Sequence, residues 1–342
     1  MYSISDRYLK FLNHASYYIE SSSSILICDP WLEGTAFNNG WALLDKSSSN
    51  IKTIQELFKK KKNIYIWYSH EHSDHLSISF LQEVYKRKIF INIIYQKTLD
   101  KRVIKYIKGK EFNTTEANNG KRIFLDNELS FYVWSHKNGD SFSLAILNNL
   151  SFLNLNDCII DKESEAKKIL RKTSLISNNI DFLFTQFGYA NWVGNPEDKY
   201  KRINASKEKI KRILIQANIL SPKIIIPFAS FSSFCSPKNF YHNSEQNTPR
   251  TLTKSEILEP IKDKIYFLKP EDQVNIASLN KAYLNLKMLS PKAIDHWENL
   301  HKSSQPVFVI NHIVDENKLI FQFNKFSKKI NSSLLFLPKI LE

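Results

Sequence analysis

Seven residues, Ser69-His70-Glu71-His72-Ser73-Asp74-His75, limit the folds open to this chain more than any other stretch. They follow the apolar run NIYIWY (63–68) directly and precede a segment with helical apolar spacing (76–88), so they occupy a strand-to-helix turn. On a strand, neighbouring side chains alternate between faces, whereas a turn lets them converge. Three imidazoles and a carboxylate within six residues therefore predict ligands for one or two divalent metal ions. With only nine histidines in 342 residues, chance clustering is a poor explanation. In the spacing HxHxDH, His70 and His72 serve one ion, and Asp74 with His75 a second.

The rest of the chain supplies a frame for such a turn. Short β-like runs recur at 17–20, 24–28, 89–95, 129–135, 142–147, 151–155, 182–187 and 223–229, and helical spacing marks 51–61, 97–107, 162–172 and 199–218. Hairpin-like strands come first and strand-helix units follow. That order predicts an α/β fold of two sheets with helices outside, rather than one alternating parallel sheet. Residues 1–278 read as one metal-binding catalytic domain. From 279 to 342 the texture changes to a helical stretch near 291–302 and two apolar, alternating runs, PVFVINHIV (306–314) and KLIFQFNKF (318–326), which predict a small C-terminal α+β appendage.

Charge and cysteine content narrow the partners. The formal net charge of +14 is carried mainly by Lys, while recognition of bases and phosphates favours the bidentate Arg fork, so no nucleic-acid partner is expected. The excess either keeps a Lys/Asn/Ile-biased chain soluble or draws in an anionic small-molecule substrate. Three cysteines, Cys28, Cys158 and Cys235, form neither a disulfide framework nor a CxxC site. No apolar run approaches the roughly 18 residues that span a bilayer, and the first twenty residues show no signal-peptide core. A cytoplasmic protein with no membrane partner is expected, and the quaternary state is left open.

Further candidates lie downstream. His136 stands at the end of LSFYVWS with Asp140 four residues on, and Asp157 closes SFLNLN. Taken alone, His136 also suits a surface position, and Asp157 a turn or helix cap. With HxHxDH matched in full, the sequence resembles the metallo-β-lactamase superfamily. That resemblance implies an αββα sandwich with metals at one edge between the sheets, His136 joining His70 and His72, and Asp157 bridging to the site of Asp74 and His75. The superfamily's last histidine is absent, because IIIPFAS places Ala229 there. The ion at Asp74, His75 and Asp157 should then be the weaker one, unless His242 in NFYHN replaces the missing ligand.

Within the superfamily one branch is closer. Cys28-Asp29-Pro30-Trp31-Leu32, Gly34, Ala36-Phe37, Gly40-Trp41, the HSDHLS core, Leu153-Asn154, Asn156-Asp157-Cys158, Pro227-Phe228-Ala229 and Ser236-Pro237 together are similar to the catalytic domain of CMP-N-acetylneuraminate hydroxylases, over residues 10–278. The resemblance implies iron and oxygen chemistry on a nucleotide sugar. Those hydroxylases also carry a Rieske domain, whose cluster takes two Cys and two His. This sequence contains no CxH or CxxH pair, so an oxygenase reading implies a separate electron-transfer protein.

Trp31, Trp41, Tyr189 and Asn191 are the expected substrate-binding side chains, the aromatics offering flat faces and the amide orienting a polar group; the three aromatics suit a core equally well. His14, in LNHAS, reads as a buried structural histidine. The first functional expectation is a metal-dependent hydrolase for an anionic, phosphate- or nucleotide-bearing, sugar-like substrate, with Asp74 holding or deprotonating the water. The alternative is an iron-dependent oxygenase, and the third a non-catalytic metal-binding module. Zinc favours the first and iron the second.

Overall fold

A computed structural model of the chain describes residues 7–189, 191–306 and 316–334. The first half supplies strands β1 (Tyr8–Asn13), β2 (Ser16–Glu20), β3 (Ser24–Cys28), β4 (Thr35–Ala36), β5 (Trp41–Leu43), β6 (Asn63–Tyr68), β7 (Asn92–Gln96) and β8 (Asn113–Ala117). Helices α1 (Asn50–Lys59), α2 (Ile78–Lys86) and α3 (Arg102–Lys108) are interleaved with them. The second half adds β9 (Ile123–Phe124), β10 (Leu129–Ser135), β11 (Ser141–Leu147), β12 (Leu150–Asn154), β13 (Phe182–Gln186), β14 (Ile224–Phe228), β15 (Ser232–Phe234) and β16 (Gln273–Asn275). Its helices are α4 (Glu163–Thr173), α5 (Lys199–Leu220), α6 (Pro249–Thr253) and α7 (Leu279–Ser303).

Two large sheets result, ordered β16-β1-β2-β3-β6-β7-β8 and β14-β13-β12-β11-β10-β9, beside a small sheet β15-β5-β4. Strands β3, β6, β7 and β8 run parallel, as do β12, β13 and β14, and the remaining pairs are antiparallel. Parallel strands covered on both faces read as continuous apolar runs, and β3 shows why. Its Leu26 and Cys28 enter the core shared with the second sheet, while Ile25 and Ile27 enter a separate core under α1 and α2. Helices α4 and α5 cover the second sheet through Ala166, Ile169, Ile210, Ile213 and Ala217. The layers are therefore helix, sheet, sheet, helix, the sandwich expected from the sequence.

The main compact unit runs to Pro306, beyond the change of texture at 278. Helix α7 belongs to it: Ala282, Leu286, Ala293 and Trp297 are fully buried in the main core, and the Trp297 ring stacks on Phe231 with centroids 3.9 Å apart. Trp297→Ala should cost about 3–5 kcal/mol of stability in urea unfolding, since it empties a filled core position; a change below about 1 kcal/mol would place α7 outside the cooperative unit. The run 318–326 is not the expected strand. It lies in α8 (Glu316–Leu334), within the second unit, because Leu319, Phe323 and Phe326 recur at helical spacing. The run 307–314 lies outside the described residues. Among the described residues, no helix is long and apolar enough to cross a membrane.

Candidate metal centre

The carboxyl ends of β1, β3, β6, β12, β13 and β14 open on one edge of the sandwich, where the chain must turn and polar side chains can gather without breaking a ladder. His14 follows β1, Asp29 follows β3, His70 to His75 follow β6, Asp157 follows β12, and Ala229 follows β14. His14, Asp29, Asn156 and Ala229 all have positive φ (37°, 39°, 48° and 53°), a left-handed backbone that costs energy in non-glycine residues and gathers at functional sites. The motif itself is a tight turn: the His72 carbonyl accepts from the N–H groups of His75 and Leu76 at 3.0 and 2.7 Å. Ser77 then caps α2, its hydroxyl accepting from Phe80 N–H.

Asp29, fully buried, organises the turn. It accepts from Ser69 N–H (2.8 Å), Ser69 Oγ (2.7 Å), His75 Nδ1 (3.0 Å) and Asn156 Nδ2. Because Ser69 gives its one hydroxyl proton to Asp29, it accepts from His70 Nδ1, 2.9 Å away. Both imidazoles are thus protonated on Nδ1, which leaves the Nε2 lone pairs of His70 and His75 free to ligate.

Those atoms converge with others in two groups. His14, Asp74 and His75 form the first, and His70, His72 and Asp157 the second, each with ligand atoms within 4.8 Å of one another. Asp74 Oδ2 lies 3.5 Å from both His14 Nε2 and His75 Nε2. Asp157 Oδ1 is 3.6 Å from His75 Nε2, which places it between the groups, and His70 Nε2 is 2.9 Å from His72 Nδ1. Two ligands of one ion at ~2.0–2.1 Å bond length stand roughly 2.9–3.4 Å apart, so these spacings suit a cation with little adjustment. Both ring nitrogens of His14, Asp74 Oδ1 and His75 Nε2 are buried without a hydrogen-bond partner, a costly arrangement that a metal ion would relieve.

The electrostatics agree. Burial and the neighbouring His75 lower His70 to about 4, keeping its imidazole neutral. For His75, burial acts downward, but Asp74, Asp157 and Asp29 outweigh it and raise the imidazole well above its ordinary value, so without a metal the ring itself carries the positive charge and Nε2 ligates only when an ion displaces that proton. Burial and the charge of Asp157 push the carboxyl of Asp140 up to about 7. A cation is the missing partner for three crowded carboxylates.

The grouping differs from the one expected. His136 does not join His70 and His72. The turn at 137–139, with Asn138 and Gly139 both at positive φ (60° and 83°), reverses the chain so that Asp140, not His136, faces His70, at 3.9 Å from its Nε2. His136 instead lies beside Phe142, in a cleft of about 580 Å³ with Glu165, Lys168, Arg171 and Lys172. His242 is no replacement ligand either; it is buried against Tyr241 and Phe234, with ring centroids at 4.4 and 4.8 Å. His14 is the residue that completes the group of Asp74 and His75. The Ala229 N–H donates to the His14 carbonyl (2.9 Å), so the two positions are neighbours.

Trp31, Trp41 and Tyr189 are buried in a small aromatic core with Phe234, and Trp41 and Tyr189 also line a small cavity with Ala229, Ser230 and Gln246. Trp31 packs edge-on against His14 at 5.3 Å, and the Tyr189 hydroxyl donates to the His242 carbonyl. Asn191 is exposed. The aromatic at the centre is Phe37, 42% exposed, whose ring lies 5.7 Å from His72 and whose N–H donates to Ser73 Oγ (2.8 Å).

No protein-family model matches the chain. Among curated proteins it is similar to the cytidine monophosphate-N-acetylneuraminic acid hydroxylase of Danio rerio, 26% identical over 265 residues, 72% of this chain and 42% of that protein. It is similar to the Mus musculus hydroxylase at 26% over 255 residues, 71% of this chain and 43% of the relative. The chain thus spans about two fifths of the length of these relatives. Among solved structures, a variant of the CmlA beta-hydroxylase superposes with a TM-score of 0.52 at 11% identity, covering 79% of this chain and 54% of that one. A metallo hydrolase from the archaeon Ignicoccus hospitalis superposes at 0.51 and 14% identity, covering 79% and 98%. The two-sheet sandwich, the complete HxHxDH turn and these likenesses together show the metallo-β-lactamase fold.

Proposed function

We propose that the chain is a metal-dependent oxygenase that hydroxylates an anionic, phosphate-bearing small molecule of the nucleotide-sugar class. One observation carries this reading: each of the two groups consists of two imidazoles and one carboxylate, the donor set that suits iron(II) in oxygen chemistry. Similarity to hydroxylases over 72% of the chain supports it. A redox-active metal held there supplies electrons to dioxygen, whereas zinc would supply Lewis acidity for hydrolysis. One oxygen atom would enter a C–H bond of the substrate and the other leave as water, with two protons and two electrons delivered by an electron donor. Asp29 and Ser69 hold the Nδ1 sides of His75 and His70, which directs Nε2 of each toward the ion, and Trp31 holds the His14 ring in place. The hydrolytic reading rests on Asp74, whose Oδ1 is unpartnered and free to hold a water proton. Elemental analysis of anaerobically purified protein, followed by oxygen uptake with a chemical reductant, separates the two. Iron with reductant-dependent uptake is expected; zinc, with substrate cleaved in the absence of oxygen, would make the chain a hydrolase.

The cleft beside His136 suits the anionic part of such a substrate. Lys168, Arg171 and Lys172 line it without an ion-pair partner among the described residues, while its one carboxylate, Glu165, is engaged by Lys137 at 2.5 Å. Reversing Lys168 and Arg171 to Glu should raise KM about tenfold and leave kcat unchanged, and added salt should weaken the wild-type kcat/KM. Equal, salt-independent turnover of anionic and neutral analogues would reduce the +14 charge to composition.

A further inference from the structure

Behind Asp157 lies a short polar relay that none of the metal-ligating groups needs for itself. Gln186, the last residue of β13, donates from Nε2 to Asp157 Oδ1 at 3.0 Å. Its Oε1 accepts from Lys209 Nζ, on α5. That is the one hydrogen bond of Lys209 among the described residues, and Lys209 has no carboxylate within ion-pair distance there. Arg212, one turn further along α5, adds a second positive charge whose Nε is buried without a partner. Partial burial of an ammonium against an arginine, with no carboxylate to meet it, costs stability, so packing alone does not explain the lysine.

An amide can present either end to its neighbour, but an ammonium only donates. Lys209 therefore fixes the polarity of Gln186: the carbonyl faces the lysine and the NH2 faces Asp157. With the amide reversed, an oxygen would oppose a carboxylate oxygen, and Asp157 would turn away from the two histidine groups it lies between.

We propose that Lys209, acting through Gln186, is a positioning residue that orients Asp157 between the two histidine groups. The proposal rests on the metal-binding part of the reading above and not on the class of reaction, so metal binding tests it. Full-length protein is titrated with cobalt(II), read by its visible spectrum, and with zinc(II) by calorimetry. Gln186→Leu and Lys209→Met should each weaken one ion about tenfold or more and change the cobalt spectrum, as expected for loss of a group that orients a ligand. Their combination should lose no more than either alone, because both break one relay. Lys209→Arg should restore binding to within about threefold, since it also only donates. Lys207→Met, on the exposed side of the same helix, serves as the control and should bind as wild type does. If Lys209→Met fails to fold, Gln186→Leu and Lys209→Arg carry the test. Wild-type affinity in both Lys209→Met and Gln186→Leu, or strictly additive losses, overturns the proposal. No cobalt or zinc bound by the wild type would overturn the metal reading as a whole.

Discussion

Replacing His14 by alanine should remove one of two bound metal ions and leave the other. His14 would supply one of three ligands in the group with Asp74 and His75, and its ring nitrogens have no hydrogen-bond partner. Loss of a group that merely orients a ligand costs roughly 10–100-fold in metal affinity, so loss of a ligand should cost at least ~100-fold. Metal stoichiometry by elemental analysis after dialysis should fall from two per chain to one. His136→Ala and His242→Ala should both retain two, because neither side chain reaches the groups. A stoichiometry that drops in His136→Ala and not in His14→Ala would restore the arrangement expected from motif order. His14→Gln, which keeps most of the contact with Trp31, separates loss of ligation from loss of packing.

The second large effect is on stability. Asp29→Asn keeps the shape and tolerates the left-handed backbone, yet its amide NH2 must confront Ser69, His75 or Asn156, all of which donate to the native carboxylate. Breaking a buried charge-assisted cluster by changing one member costs about 3–5 kcal/mol. Urea unfolding of the metal-free variant should show that loss. The same substitution frees His75 to take the other tautomer, so affinity for metal should fall as well. A variant within 1 kcal/mol of wild type would mean that the four hydrogen bonds do little to hold the turn.

The contiguous part of the site was legible in the sequence, because a strand-to-helix turn brings adjacent residues together without help from the rest of the fold. His70, His72, Asp74 and His75 needed only local geometry. Asp157 was legible too, as a carboxylate at the end of an apolar strand. His14 was not: one histidine in a hairpin between apolar strands has the pattern of a structural residue, and only the sheet order lays β1 beside β2 and β3 so that its end shares an edge with β6. The signal that could have found it was the vacancy at Ala229, read as a search for any other strand-end histidine on that edge. His136 misled for the opposite reason. Its place in chain order was right, but two left-handed residues in the following turn decide which side chain faces inward, and sequence order carries no handedness. Asp29 passed as part of a resemblance because its work is done through four hydrogen bonds to residues 40 to 127 positions away.

One backbone hydrogen bond, from Ala229 to His14, has an evolutionary meaning. Two chain segments more than two hundred residues apart in sequence meet through it at the mouth of the sandwich, so a histidine on either would stand at the same edge. A lineage that loses the histidine on the late strand is not thereby inactivated if the early hairpin already holds one. Ligand migration of this kind would leave the chemistry in place while erasing the signature by which it is usually recognised. Chains scored as degenerate for lacking that last histidine deserve a look at the turn after their first strand.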